Sequence, residues 1–464
     1  MSTTRLVAKN TLFQILGKGV STVLGIAAVA LVTRALGAAG YGYYTTVITF
    51  LSFFGIVADL GLTLITAQMI SEQGADEPRI VRSIFTFRVV TALVLFSVAP
   101  LVAHFTNYPD VVKWGIALTA ASFFFVSLQQ TLVGIFQKHL VMHFPMMSEV
   151  VGRAALLGVT IYAVAFGKNL LWFLGAVVIG NICNFLLVIF FSRRFVHLGF
   201  EWDTKIIREM LHRSLPIAIS IVFNLVYLKA DTLILSAVRS PAEVGLYGAA
   251  YRVIDILIMI PVMMMGVILP IAAAAWSSRD SARMSRIIQK TFDVFVIYAL
   301  PFLVGGWLLA PRIMSLIAGD DFAGAGAPLR ILLLAFVAAT SSTLFGHTIV
   351  ALQKQRSVIW VYGVDAVLSL AAYLFFIPRF GMTGAAWATF GSELFAAIIL
   401  ATVVIRTTRV TIALDVLIRV ALASAVMALA LELAGDLSAI VSILIGGGMY
   451  CATLMLLGIH KKIL

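Results

Sequence analysis

Apolar residues run along this chain in long blocks, separated by short polar stretches that carry most of its lysines and arginines. A helix that crosses a bilayer needs about 20 consecutive apolar residues. Fourteen blocks qualify: near 10–36, 42–70, 80–103, 111–135, 146–166 and 170–191, then 214–238, 244–275, 291–310, 327–352, 357–377, 383–405, 412–433 and 438–458. The pattern predicts an all-α membrane protein of about 14 transmembrane helices, with little chain left for any domain outside the bilayer. The first block follows Arg5 and Lys9 as a signal peptide would, but its apolar run continues to about Leu36, too long for a cleaved core. It reads as the first span.

The longest polar interruption, residues 192–213, divides six spans from eight. Within it Ile206, Ile207, Met210 and Leu211 recur at helical spacing, opposite Lys205, Arg208, His212 and Arg213. That is the pattern of a short amphipathic helix on an anionic leaflet. The organisation expected is a six-helix lobe over 1–192, an amphipathic linker over 193–213, a second six-helix lobe over 214–405 and two additional spans over 406–464. A weak repeat agrees. Gly42-Tyr43-Tyr44 and Gly245-Leu246-Tyr247 each place Gly-x-Tyr where an outer turn enters the next helix, 203 residues apart. Six spans per repeat would relate the lobes by an axis along the membrane normal.

Composition changes this picture only by strengthening it. Hydrophobic residues make up 61% and charged residues 12%, against about 45–50% and about 25% in soluble domains. A net charge of +12 could indicate nucleic acid, but its distribution points elsewhere. With the amino terminus inside, 20 of the 33 basic residues fall in inner segments, seven in outer ones and six in spans. The bias places both termini in the cytoplasm. Cys183 and Cys451 lie in apolar stretches and form neither a disulfide framework nor a zinc site.

No phosphate-binding loop and no His-Glu-x-x-His motif occurs. The chemistry must therefore reside in charges within the spans, each of which costs about 2.5–3.5 kcal/mol at the bilayer centre and so faces a cavity or a partner. The basic set is Lys18, Arg88, Arg153, Lys229, Arg252 and Arg419. Four of these, Lys18, Arg88, Arg153 and Arg419, lie close enough to an inner end for anchoring by snorkelling to be an equal alternative. The acidic set is Asp59, Asp231, Asp255, Asp365 and Glu393, with Glu149 nearer an end. These carboxylates are candidates for ion coupling or gating, and equally for helix–helix hydrogen bonding. Arg252 and Asp255, three apart, can neutralise each other. Lys229 and Asp231 point to different faces, whereas Asn224 and Asp231 share one. Pro216, Pro261 and Pro270 mark hinges or ordinary kinks.

Several short motifs look familiar. Thr33-Arg34-Ala35-Leu36-Gly37, Tyr41-Gly42-Tyr43-Tyr44 and Asp59-Leu60-Gly61-Leu62 resemble the opening of bacterial polysaccharide (O-antigen/exopolysaccharide) flippases. Lys229-Ala230-Asp231 with Val244-Gly245-Leu246-Tyr247-Gly248-Ala249-Ala250-Tyr251-Arg252 resembles their second lobe, and Gly381-Met382-Thr383-Gly384-Ala385-Ala386-Trp387-Ala388-Thr389 their turn into span twelve. These flippases belong to the multidrug/oligosaccharidyl-lipid/polysaccharide exporter superfamily. The resemblance implies two six-helix lobes in a V around a central cavity, plus two C-terminal helices. It also implies a flippase moving an undecaprenyl-diphosphate-linked oligosaccharide across the inner membrane by alternating access. Cationic cavity residues are expected in such proteins, and Lys18, Arg88, Arg153, Lys229 and Arg252 are the positional matches.

No cofactor is expected, and without a nucleotide site the drive would be H+ or Na+ coupling or consumption of the product. Expected partners are the lipid-linked oligosaccharide, membrane lipids and the polysaccharide polymerase and chain-length proteins, with no nucleic acid. The rival readings are a multidrug or cation antiporter of the same superfamily, a peptidoglycan-precursor flippase and a membrane-embedded glycosyltransferase or ligase. The last would need a large outer loop with catalytic carboxylates, for which Gly319-Asp320-Asp321 is a poor substitute.

Overall fold

A computed structural model describes the backbone of residues 3–435 and 437–459. Side chains of 3–12, 15, 216, 217, 219, 220 and 224–228 lie outside the described set, and so do the sequence candidates Arg5, Lys9, Pro216 and Asn224, together with Lys461 and Lys462. Among the described residues the regular structure is helical. In hydrocarbon no water is available to backbone amides and carbonyls, so a spanning segment must satisfy them within itself.

The helices are α1 (Thr3–Asp59), α2 (Leu62–Ser71), α3 (Glu77–His104), α4 (Asp110–Lys138), α5 (His143–Ala165), α6 (Leu170–Ser192), α7 (Thr204–Val238), α8 (Pro241–Ser277), α9 (Ser281–Ala318), α10 (Gly326–Ala351), α11 (Ile359–Thr408), α12 (Asp415–Leu433) and α13 (Ala439–Leu456). Two of them are double spans. α1 turns at Gly37 (φ 62°) and α11 at Gly381 (φ 57°), and the left-handed backbone there favours a residue without Cβ. With each counted twice, and α2 taken as the continuation of the second span, the fourteen expected spans are present.

Contacts divide the chain into two compact units, Met1–Lys229 with Ser240–Gly245, and Ala230–Arg239 with Leu246–Leu464. In the first unit the turn 240–245 lies directly on α1. A Cβ on Gly42 would fall 1.7 Å from the Pro241 carbonyl oxygen, and one on Gly245 would fall 2.0 Å from the Ala38 carbonyl oxygen. The two contacts mirror each other. Each glycine meets the carbonyl four residues before the other, so the two Gly-x-Tyr turns pack directly on one another.

The linker expected over 193–213 takes a different setting: from Thr204 on it forms the first turns of α7. Ile207 and Met210 are buried and Ile206 partly so; Met210 is fully buried in a core with Leu62, Ile65, Met69 and Ile84 of α2 and α3. Leu211 alone of that face remains exposed. A set of ion pairs holds the linker there. Arg79 meets Asp203 at 2.6 Å and Glu201 at 3.5 Å, and Arg82 meets Glu201 at 3.5 Å. Arg213 joins Glu72 to Glu209, and these hydrogen bonds raise its pKa. Asp203 opens α7 by accepting from the amides of Lys205 (2.9 Å) and Ile206 (3.3 Å). Desolvation opposes its ionisation, but those two amides and the Arg79 guanidinium together hold its carboxyl below the usual range.

In the second unit α12 and α13 pack on α9 around Leu309, Val420 and Met427. Arg419 donates to the Leu457 carbonyl at 2.6 Å, and Tyr450 donates to that of Ile297 at 2.8 Å. Several other basic residues of the second unit serve in the same way. Arg239 donates to the carbonyls of Ile377 (3.2 Å) and Pro378 (2.9 Å), Arg312 to Gly435 (3.1 Å), Arg330 to Trp307 (2.8 Å) and Arg379 to Phe375 (2.9 Å). Ile377 and Pro378 precede the turn at Gly381, Gly435 follows α12, and Trp307 stands four residues before Pro311, which has no amide to bond it.

Candidate functional site

The second span breaks where Asp59-Leu60-Gly61-Leu62 stands. α1 stops at Asp59, Leu60 (φ 37°) and Gly61 (φ 84°) turn left-handed, and α2 starts at Leu62. Such a break frees backbone groups that lipid cannot satisfy, so it is tolerated only where protein or a wet cavity receives them. Arg88 of α3 receives them here. Its guanidinium, 1% exposed, donates to the Ala58 carbonyl and the Asp59 carboxylate. It also reaches Thr63 Oγ1 at 3.3 Å, the Ser127 carbonyl at 3.2 Å and Thr131 Oγ1 at 3.3 Å on α4. Asp59 further accepts from the Thr63 amide at 3.3 Å and from its hydroxyl. Arg88 is thus wholly engaged with protein and ties α1, α2, α3 and α4 together.

Beside the break lies a cavity of about 380 Å³, within the size range of small-molecule sites. Ser52, Gly55, Ile56 and Asp59 of α1, Phe123, Val126, Ser127 and Gln130 of α4, and Ile221 and Lys229 of α7 line it. Asp59 is a quarter exposed and already neutralised by Arg88. The Lys229 ammonium and the Gln130 amide have no hydrogen-bond or ion-pair partner among the described residues. The cavity therefore carries one uncompensated positive charge, two side chains ready to donate and an aromatic wall.

Lys18 and Arg153 occupy a separate cluster. Lys18 pairs with Glu149 at 2.9 Å, Ser21 donates to the same carboxylate oxygen at 2.8 Å, and Arg153 stands near enough to act on Glu149 through its charge. Arg153 is exposed and makes no hydrogen bond or ion pair among the described residues. In the second unit Arg252 and Asp255 form the pair their spacing allows, at 3.5 Å, both nearly half-exposed.

The second unit buries its other acids among hydroxyls. Asp231, 1% exposed, accepts from the Thr232 amide (2.6 Å) and the Tyr247 hydroxyl (2.7 Å). Thr389 lies 3.4 Å from the Tyr247 hydroxyl and 3.3 Å from that of Tyr373. Asp365 accepts from Ser392 at 2.7 Å and from Ser369 at 3.4 Å, and Ser369 also donates to Ser392 at 2.8 Å. Glu393 is half-buried, and its carboxylate has no hydrogen-bond or ion-pair partner among the described residues. No group of three or more metal-ligating side chains occurs among the described residues.

The sequence shows the charges but not their hydroxyl partners, above all Thr131, Tyr247 and Ser392, nor the Gln130 amide beside Lys229 in the cavity lining. Spacing could have found some of them. Asp365, Ser369 and Tyr373 lie four apart on one helical face, and Thr389 and Ser392 lie three apart on another.

A fold of this kind, with charges and hydroxyls set between unbroken and broken spans, defines a polytopic membrane transporter. The model of the polysaccharide biosynthesis protein family matches residues 7–276, and that of the MatE family matches residues 216–375. The chain belongs to the polysaccharide biosynthesis protein family, and is a flippase of the multidrug/oligosaccharidyl-lipid/polysaccharide exporter superfamily rather than an enzyme. A Shigella flexneri protein described as "Putative O-antigen transporter" is 20% identical over 394 residues, covering 82% of this chain and 93% of its own. Among solved structures, the lipid II flippase MurJ in an inward closed conformation superposes with a TM-score of 0.79 at 14% identity, over 96% of this chain and 98% of its own. An inward-facing multidrug resistance MATE family transporter gives 0.70 at 16%, over 84% and 94%. At such identities these two likenesses concern the fold alone.

Proposed function

We propose that this protein flips an undecaprenyl-diphosphate-linked oligosaccharide from the cytoplasmic to the outer face of the inner membrane by alternating access, with both its termini in the cytoplasm. One observation carries the reading: Lys229 and Gln130 have no hydrogen-bond or ion-pair partner among the described residues, and they line a cavity whose other charge, Asp59, is cancelled by Arg88. A diphosphate entering hydrocarbon loses its hydration, and a positioned ammonium with amide and hydroxyl donors offsets that loss. Arg153, beside the neutral Lys18–Glu149 pair, supplies one further positive charge in the same unit. Asp365 and Glu393 are the groups to bind a coupling proton or sodium ion, since among the described residues Asp365 accepts only from serine hydroxyls and the Glu393 carboxylate has no partner. Asp59 and Asp255 hold arginine partners and serve position rather than coupling. The product would pass to the polymerase and chain-length proteins that assemble the polysaccharide.

The test is flipping of lipid-linked oligosaccharide in proteoliposomes. Lys229→Gln should lower the rate about tenfold or more, the scale of one lost charge-assisted hydrogen bond, while Lys229→Arg retains most of it. Wild-type rates in Lys229→Gln would end this assignment. Export of a cationic drug by the wild type, with no flipping, would favour the antiporter.

A further inference from the structure

A second cavity, of about 560 Å³, opens in the second unit where α8 and α10 end and α9 begins. Its walls change character along their length. Ala273 of α8 and Val350 of α10, the latter 46% exposed, make an apolar flank. Trp276 lies between Ala273 and Arg279 along the chain, and Arg279, Ser281 and Gln353, at the ends of the helices, supply the polar part of the lining, here called the rim. A tryptophan between apolar and cationic surface is the usual composition of a membrane–water boundary.

The rim offers donors and no carboxylate. Arg279, the Ser281 hydroxyl and the Gln353 amide have no hydrogen-bond or ion-pair partner among the described side chains. Tight turns hold two of them in place. Arg279 (φ 55°) and Gln353 (φ 57°) are the left-handed residues that end α8 and α10, each followed by an amide that reaches back five residues, Asp280 to Ala275 and Lys354 to Ile349, both at 3.1 Å. The nearest acid in sequence, Asp280, caps α9 by accepting from the Arg283 amide at 2.8 Å and does not line the cavity.

We propose that this cavity holds the headgroup of an anionic glycerophospholipid. A phosphodiester carries one negative charge, which Arg279 matches, while Ser281 and Gln353 can bond the phosphate and glycerol oxygens. The apolar flank receives the start of the acyl chains. A free phosphate would leave that flank unused, and a diphosphate would bring more charge than one guanidinium balances. In the proposed orientation the cavity faces the cytoplasmic leaflet, where anionic lipids attract basic pockets between spans. The site is independent of the transported substrate.

The test uses the purified full chain in detergent, titrated with phosphatidylglycerol or phosphatidylcholine and read by native mass spectrometry. Wild type should prefer phosphatidylglycerol about fivefold, the scale of one basic residue near a headgroup. Arg279→Gln should bring the ratio near one. Gln353→Ala should lower it part of the way, and serves as the second variant if the first is not monodisperse. Lys354→Gln, next to the cavity but bonded to Thr407, should keep the wild-type ratio, and millimolar inorganic phosphate should not displace the lipid. The proposal falls if Arg279→Gln retains the preference or if Lys354→Gln loses it equally. Displacement by inorganic phosphate would also overturn it, by revealing a soluble-anion site.

Discussion

Asp59 in the first unit and Asp365 in the second are both carboxylates set within spans, but they are held differently. Asp59 sits at a broken helix with a buried arginine whose other donors seal the break. Asp365 lies within the first span of α11, well before its turn at Gly381, and accepts only from Ser369 and Ser392 among the described residues. A carboxylate with an arginine partner is neutralised for good, because guanidinium does not release its proton. One held by hydroxyls keeps its charge uncompensated and can trade it for a proton or a cation. The same residue type therefore does structural work in one unit and, in the function proposed, serves coupling in the other.

Arg88→Ala would break this contrast most violently. It strands Asp59 and the Ala58 carbonyl in a buried setting, and losing one partner of a buried pair costs about 3–5 kcal/mol. The expected result is little monodisperse protein after extraction; a wild-type unfolding midpoint would show that the break needs no arginine. Asp365→Asn should be far milder. The amide still bonds both serines, so stability should change by less than about 1 kcal/mol, while transport loses its dependence on the coupling ion. If the variant instead fails to fold, the two acids are alike. The smallest effect belongs to the linker. Because the folded-state pKa of Asp203 is depressed, its stabilising contribution is complete above the unfolded value near pH 4 and is lost as pH falls through the folded value. Hydrogen exchange over residues 199–213 should be flat from pH 8 to about 5, after correction for the intrinsic rate, and lose protection in stronger acid.

The spans were legible because lipid imposes one rule on every residue within it, and the run lengths in the sequence obey that rule directly. The break at Asp59-Leu60-Gly61 was visible only as a motif, since a glycine in an apolar run does not say whether the helix bends or stops. Its partner was not legible at all. Arg88 lies 29 residues from Asp59 and on another helix, and only packing brings them together. For the same reason six basic residues that look equivalent in sequence have different settings. Arg88 and Arg419 bond backbone carbonyls, Lys18 and Arg252 pair with acids, and Lys229 and Arg153 make no hydrogen bond or ion pair among the described residues. The linker misled for a related reason, since a helical apolar stripe fits protein as readily as lipid, and here α2 and α3 supplied the cover.

The paired contact at Gly42 and Gly245 has a consequence for how such a chain can change over generations. Each position is kept small by a carbonyl four residues before the other, so a side chain added at one is judged by the backbone beside its partner. Neither turn can drift alone, and two sites 203 residues apart accept substitutions as one.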